Sequence, residues 1–263
     1  MSSAATRWRE ALDAWALPED IVRAAPQSPW IHPPVLFDVP DQIASTPSHE
    51  RAREVLTPGA TVLDVGCGGG IAAFALTPPA THVIGVDHQP EMLTMFARNA
   101  AARGLKAETV EGFWPAVAAR TSVADVVTAH HVLYNVADVV PFVLALSEHA
   151  RSRVVLELPD LHPLASMTGA WLHFWKLERP VGPTPDDLLE VLGELGIDAH
   201  REQWSGPMRV EADLDQAAHF MRIRLCLPET SEGEVRDFLA ANPTPSARAL
   251  STIWWDVEAR AAS

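Results

Sequence analysis

Lysine is almost missing from this chain: Lys106 and Lys176 are the only two in 263 residues, and the arginines are scattered along the sequence. With a formal net charge of -14, the surface repels phosphate backbones, which disfavours nucleic acid as a partner. Cysteine is as scarce. Cys67 and Cys226 make no disulfide framework and fit a reducing cytoplasm. No apolar run approaches the roughly 18 residues needed to span a bilayer. The N-terminus, with Arg7, Arg9 and Glu10 and no apolar core, does not read as a secretory signal. These absences point to a cytoplasmic protein that does not engage membranes.

Proline is the notable excess, with 22 copies. They cluster in Pro26, Pro29, Pro33, Pro34 and Pro40, in Pro78 and Pro79, and in Pro180, Pro183 and Pro185, which marks ordered turns rather than a repetitive tract. No internal repeat is visible. The length suits one large domain with added helices or a core plus a small cap.

The most informative stretch is Thr61 to Asp87, which reads as strand, glycine-rich turn, helix, strand and terminal acid. Thr61 to Val65 is a short apolar run of the kind buried in a parallel sheet. Gly66, Cys67, Gly68, Gly69 and Gly70 let the backbone turn sharply and approach a ligand, and Ile71 to Leu76 begins a helix. His82 to Val86 supplies the second strand. Asp87 follows, 21 residues after Gly66, where a carboxylate at the end of a second parallel strand meets ribose hydroxyls. A dinucleotide fingerprint would carry a third glycine where Ile71 stands, which weighs against a nicotinamide cofactor.

Asp64-x-Gly66-x-Gly68-x-Gly70 with Asp87 behind it resembles motif I and the following acidic position of class I S-adenosylmethionine-dependent methyltransferases, over residues 57 to 196. The resemblance implies an α/β fold: a Rossmann-like, doubly wound, mostly parallel seven-stranded sheet with its last strand antiparallel. It also implies S-adenosylmethionine as cofactor and S-adenosylhomocysteine as product. Cofactor contacts are then expected at Asp64, Gly66, Cys67, Gly68, Asp87 and His88. Glu111, Gly112 and Phe113, after a third strand from Leu105 to Val110, fall where family members meet the adenine. His130, after a fourth strand from Val123 to Ala129, falls beside the methionine part. Val154 to Leu158 makes a fifth strand. No DNA-methyltransferase signature of the Asn-Pro-Pro-Tyr or Pro-Cys type is present, so the expected acceptor is a small molecule.

Start and stop signals support the alternation independently. Pro90 opens a helix that Gly104 closes, and Thr184-Pro185-Asp186-Asp187 caps another that ends at Gly196. Beyond it, Ile197 to Trp204 reads as a sixth strand. Asp213 to Leu227 and Ser231 to Ala241 read as helices with capping boxes (Asp213 with Gln216, Ser231 with Glu234), before a last strand from Thr252 to Val257. The expected organisation is an N-terminal helical and proline-rich cap segment over residues 1–56 and a methyltransferase domain over residues 57–263. Within that domain a lid-like insertion covers residues 159–183, and a helical insertion over residues 213–242 is expected over or beside the active site.

The acceptor site is sought after the fourth and fifth strands. His130, His131 and His162 are candidates for proton removal, because an imidazole titrates near neutral pH and a hydroxyl acceptor gains from a base, whereas an amine need only be neutral. Tyr134, Trp171, Trp175 and Trp30 are the expected substrate-pocket residues, with His32 and Phe37 as a second wall. Trp171 and Trp175 also suit a helix's packing face, being four residues apart. Glu157, Asp160 and His162 lack a defined ligand spacing, so no metal is assigned. The expected activity is methyl transfer to an oxygen or nitrogen atom of a small molecule, by a monomer or a homodimer. A nicotinamide-dependent oxidoreductase and a non-catalytic methyltransferase-like binding module are the alternatives.

Overall fold

A computed structural model of the chain describes residues 2–30, 39–208 and 213–257. His32 and Phe37, the expected second wall, lie outside the described residues. Five parallel strands open the sheet: β1 (Thr61–Val65), β2 (His82–Asp87), β3 (Lys106–Glu111), β4 (Ala124–His130) and β5 (Ala150–Pro159). β6 (His200–Pro207) runs the same way at the far edge, and β7 (Ala247–Asp256) is inserted antiparallel between β5 and β6. The order is β3-β2-β1-β4-β5-β7-β6. Strand order reverses between β1 and β4, so a crevice opens at their carboxyl ends, where α/β sheets bind ligands.

The doubly wound arrangement follows from the strand sequences. Successive side chains point to opposite faces, so strands apolar at every position need cover on both. Val62, Val83, Val126 and Val155 face α3 (Pro47–Arg53), α4 (Ile71–Phe74) and α5 (Pro90–Ala102), through Ala52, Phe74, Leu93 and Phe96. Leu63, Ile84, Val127 and Leu156 face the opposite layer. That layer holds α1 (Ala4–Asp13), α6 (Val139–His149) and α8 (Pro185–Glu194) through Trp8, Phe142, Leu188 and Leu192. Trp8 is fully buried and its Nε1–H donates to the Val136 carbonyl at 2.8 Å, which docks the N-terminal helix. Burying a side chain of that size contributes about 2–3 kcal/mol.

A smaller third core forms among α2 (Glu19–Ala24), α7 (Thr168–Trp175), α9 (Leu214–Arg224) and α10 (Glu232–Ala241). It is built on Ile21, Met167, Trp171, Ala218, Leu225, Val235 and Leu239. Among the described residues no helix is long and apolar enough to cross a membrane.

Several boundaries differ from expectation. α4 stops at Phe74 rather than Leu76, because Pro78 and Pro79 offer no N–H and the residue before a proline is pushed out of the helical region. β5 begins four residues before Val154. The apolar run hid this, since Arg153 in the strand is buried between Glu54 and Asp256. β6 starts at His200, not Ile197: Ile197 and Ala199 pack on the core as connecting chain. Asp213 caps α9 through the Asp215 and Gln216 N–H groups, but Ser231 caps nothing through its side chain, because a 3-10 turn over Glu229–Ser231 gives it helical backbone angles.

Candidate active site

The glycine turn after β1 is shaped by its own backbone. Gly66, Gly68 and Gly70 have φ of 72°, 50° and 100°, in the left-handed region where a side chain is strained. A Cβ on Gly66 would lie 2.5 Å from a Val132 methyl, so that position needs glycine for space as well. The Gly66 and Cys67 N–H groups both donate to the Val86 carbonyl, at 2.8 and 3.0 Å, tying the turn to the end of β2.

Asp87 sits at that end, 8% exposed. Its Oδ2 accepts from the Gly68 N–H and its Oδ1 from the Gln89 N–H, both at 3.0 Å. The carboxylate thus also holds the turn, a structural duty the sequence did not reveal. Two accepted bonds leave about half of its lone-pair positions for further donors. Beside it the Gly112 N–H donates to the Asp87 carbonyl at 2.9 Å, and Glu111 ends β3 opposite Asp87 in the strand register. His88 stacks on Phe113 at 4.6 Å between centroids, and Phe113 is 70% exposed. An anion, two backbone turns and an open aromatic face are gathered in one place. Asp64 lies beneath, accepting from the Thr128 hydroxyl at 3.1 Å and the Ala73 N–H at 3.3 Å. Burial lifts its pKa to about 7. Burial also raises the Cys67 thiol.

His130 and His131 end β4 with opposite surroundings. The Nε2 of His130 is sealed from solvent without a hydrogen-bond partner, its ring stacked on His49 at 5.7 Å. Burial depresses its pKa to about 3, so the ring is neutral. The His131 side chain is 41% exposed, and its Nε2 lies 3.1 Å from Oε1 of the buried Glu157. The other Glu157 oxygen accepts from the Thr46 hydroxyl at 3.2 Å. Burial opposes charge on Glu157, but His130, His131 and the Ser48 hydroxyl outweigh it and hold the carboxyl below its ordinary range.

Thr46, Ser48 and His49 come from the start of α3 and were not among the expected site residues. Their signal was present: Thr46-Pro47 is an N-cap with proline at the first helical position, and His49 closes the capping box.

His162, an expected candidate for proton removal, lines a cavity beside β5 with one ring nitrogen already engaged. Its Nδ1 accepts from the Leu164 N–H at 3.2 Å, and its ring stacks on Trp15 at 4.1 Å. Burial, with Arg179 nearby, lowers its pKa to about 4. The lone pair is occupied and the proton sits on Nε2, so His162 can donate but not abstract. The expected pocket residues stand in different surroundings. Trp171 is 2% exposed in the third core, with the Arg179 guanidinium 5.7 Å from its centroid. The Trp175 Nε1–H donates to the Leu225 carbonyl at 2.7 Å. Both pack, as a tryptophan pair one helical turn apart commonly does. Tyr134 is buried, its hydroxyl donating to the Pro159 carbonyl at 2.6 Å, and burial raises its pKa. Trp30 is 59% exposed. Glu157 and Asp160 take different partners, Asp160 holding Ser251 and Arg201. No group of three or more metal-binding side chains exists among the described residues.

A cavity of about 570 Å³ opens off the carboxyl end of β5 and the amino end of β7, lined by Asp160, His162, Gly169, Met221, Phe238 and Arg248 among others. It lies between the segment after β5 and the helices α9 and α10. A second cavity, about 480 Å³, is bounded by Thr81 and Leu105 at the amino ends of β2 and β3.

The fold and the turn together define a methyltransferase-type α/β protein. Residues 62–152 match the methyltransferase-domain family. The chain is 25% identical over 173 residues to a ubiquinone biosynthesis O-methyltransferase of Cereibacter sphaeroides, covering 61% of this chain and 69% of that one. A shorter stretch of 51 residues, 19% of this chain and 17% of the relative, is 49% identical to a ribosomal-protein methyltransferase of Xanthomonas axonopodis pv. citri. In fold it is similar to the YcgJ protein of Bacillus subtilis, with a TM-score of 0.53 and 16% identity over 80% of this chain and 98% of that one. Over residues 62–152 the chain is thus similar to methyltransferase domains, which supports S-adenosylmethionine as the cofactor.

Proposed function

We propose that the protein transfers a methyl group from S-adenosylmethionine to an oxygen or nitrogen atom of a small-molecule acceptor. The observation that carries this reading is the buried Asp87 carboxylate set against the positive-φ glycine turn, with lone pairs left to accept from ribose hydroxyls. The backbone of Gly66, Cys67 and Gly68 would hold the cofactor closely, and His88, Glu111, Gly112 and Phe113 would border its base. His130 would meet its methionine end through the main chain, since its ring is sealed away. When bound, the cofactor supplies a methyl carbon made electrophilic by a positively charged sulfur. The chain's own residues align the acceptor, exclude water and, for a hydroxyl, remove a proton.

A small-molecule acceptor is supported by the cavity at the carboxyl edge and by the formal charge of -14, which disfavours polynucleotides. The cavity volume falls within the range of about 300–1,000 Å³ usual for small-molecule sites. Residues 159–183 and 213–242 would then be walls of the acceptor site, and residues 1–56 a cap on the domain formed by residues 57–263. Cytoplasmic residence belongs to the same reading, in keeping with two free, buried cysteines.

Incubation with methyl-deuterated cofactor and a metabolite extract, read by mass spectrometry, tests the proposal. A small molecule that gains one labelled methyl group is the expected result. S-adenosylhomocysteine binding without any labelled product would assign the chain to the non-catalytic alternative, and tighter binding of NAD would favour an oxidoreductase.

A further inference from the structure

Three imidazoles follow β4 and β5, His130, His131 and His162, and their surroundings give them different duties. His130 has its Nε2 sealed without a partner and cannot reach an acceptor. His162 spends its Nδ1 lone pair on the Leu164 N–H, so it presents only a donor. Of these three, His131 is the one that is part-exposed and paired with a carboxylate; His88, 3.5 Å from Asp87, stands instead at the nucleoside end. The His131 Nε2 lies 3.1 Å from Glu157 Oε1, and that carboxylate is pinned from behind by Thr46 at 3.2 Å. A bond to an ionised carboxylate puts the proton on Nε2 and leaves the lone pair on Nδ1.

The backbone is committed to this arrangement. His131 has φ 61°, a left-handed conformation that few residues other than glycine adopt. Its N–H donates to the Glu157 carbonyl at 2.6 Å, so main chain and side chain of one residue hold main chain and side chain of the other. Off-region backbone at a site gives a reason to look for function. The charged or titratable groups facing this pair are Glu157 from β5, His130 from β4 and His49 from α3, and burial lowers the pKa of His49. The two other rings are thus held neutral, and the His131 ring, 41% exposed just after β4, is the part-exposed member of this group.

We propose that His131, oriented by Glu157, is the general base for a hydroxyl acceptor, which makes this chain an O-methyltransferase of phenolic or enolic hydroxyls. A neutral amine already offers its lone pair and needs no base. A phenol, ionising near about pH 10, passes its proton to an imidazole more readily than an alkyl alcohol does, so phenolic and enolic hydroxyls suit this base best. The hydroxyl proton passes to Nδ1 of His131 as the oxygen forms its bond to the methyl carbon. The carbon–sulfur electron pair leaves with sulfur, and the imidazolium afterwards returns the proton to water. Glu157 positions the ring and stabilises the imidazolium without taking the proton.

The inference rests on the methyltransferase reading, and the two fail differently. Wild-type protein and His131→Asn, chosen because asparagine tolerates a left-handed backbone, are first titrated with S-adenosylhomocysteine. If wild type does not bind, the methyltransferase reading falls and this proposal with it. With binding intact and equal, ring nitrogen NMR should show the Nε2–H tautomer of His131 in wild type and a mixture in Glu157→Gln. Product formed from a metabolite extract should carry its label on a phenolic or enolic oxygen. Its rate should fall as pH is lowered in wild type, as protonation of a general base requires. His131→Asn should turn over at least about a hundredfold more slowly and lose that acidic limb. Label on nitrogen or carbon, a variant rate within tenfold of wild type, or an unchanged acidic limb would overturn the proposal. Because Glu157 is buried, Glu157→Asp serves as a second variant should the glutamine form not fold, with the same loss of the tautomer signature expected.

Discussion

Replacing Trp171 with alanine separates packing from substrate roofing. Trp171 is 2% exposed in the core formed by α2, α7, α9 and α10, and Arg179 lies over its ring. Removing a buried tryptophan typically costs about 3–5 kcal/mol, part from lost transfer energy and part from the cavity left behind. Loss of the guanidinium–ring contact adds about 0.5–1 kcal/mol at a part-exposed site. A domain of this size shifts its melting temperature by about 2–4 °C per kcal/mol, so a decrease of roughly 7–24 °C is expected. Differential scanning fluorimetry reads this directly, and urea unfolding supplies the free energy. S-adenosylhomocysteine affinity, measured well below the variant's melting point, should remain within about threefold of wild type, because Trp171 takes no part in the glycine turn. A decrease below about 3 °C, accompanied by lost turnover, would refute the packing account and return Trp171 to the substrate pocket.

Gly66→Val should abolish S-adenosylhomocysteine binding, since the new side chain must adopt φ 72° and collide with Val132 across 2.5 Å; calorimetry showing wild-type affinity would refute the cradle. Asp64, raised from 3.8 to about 7, gives a pH signature. Between those values the folded state keeps a proton that the unfolded chain has released, so this residue's contribution to stability is full below about pH 4 and is lost as pH rises through 7. The change amounts to about 4 kcal/mol. Asp64→Asn should remove that decline, and urea melts with the same pH slope in both proteins would contradict it. His162→Ala should leave the acidic limb of any turnover profile in place, because the ring has no free lone pair, and loss of that limb would reassign the base.

The nucleoside half of the fold was legible because its signals are local. The sequence from Thr61 to Asp87 contains two buried strands, a turn that only glycine can make and a terminal acid, and the structure places all of them within a few residues of expectation. The acceptor side was less legible because its groups meet across long sequence distances. Glu157 and His131 were visible as residue types, but Thr46, Ser48 and His49 join them from a segment about a hundred residues upstream. Which nitrogen of an imidazole is free depends on a single neighbouring N–H or carboxylate, and residue spacing does not encode that. Arg153 shows the same limit. A charged residue in a central strand reads as a boundary until the partners that bury it are seen.

The central claim is that the turn after β1 and the acid after β2 form the cofactor site, and calorimetry with S-adenosylhomocysteine on wild type and Asp87→Asn tests it most directly. Asparagine keeps the side chain's shape and can still accept from the Gly68 N–H, so the fold should survive while the charge-assisted bonds to ribose are lost. That loss corresponds to about 1.5–3 kcal/mol, a weakening of roughly tenfold or more. Binding by wild type with at least tenfold weaker binding by the variant is the predicted result. Equal affinity in two folded proteins would contradict the account.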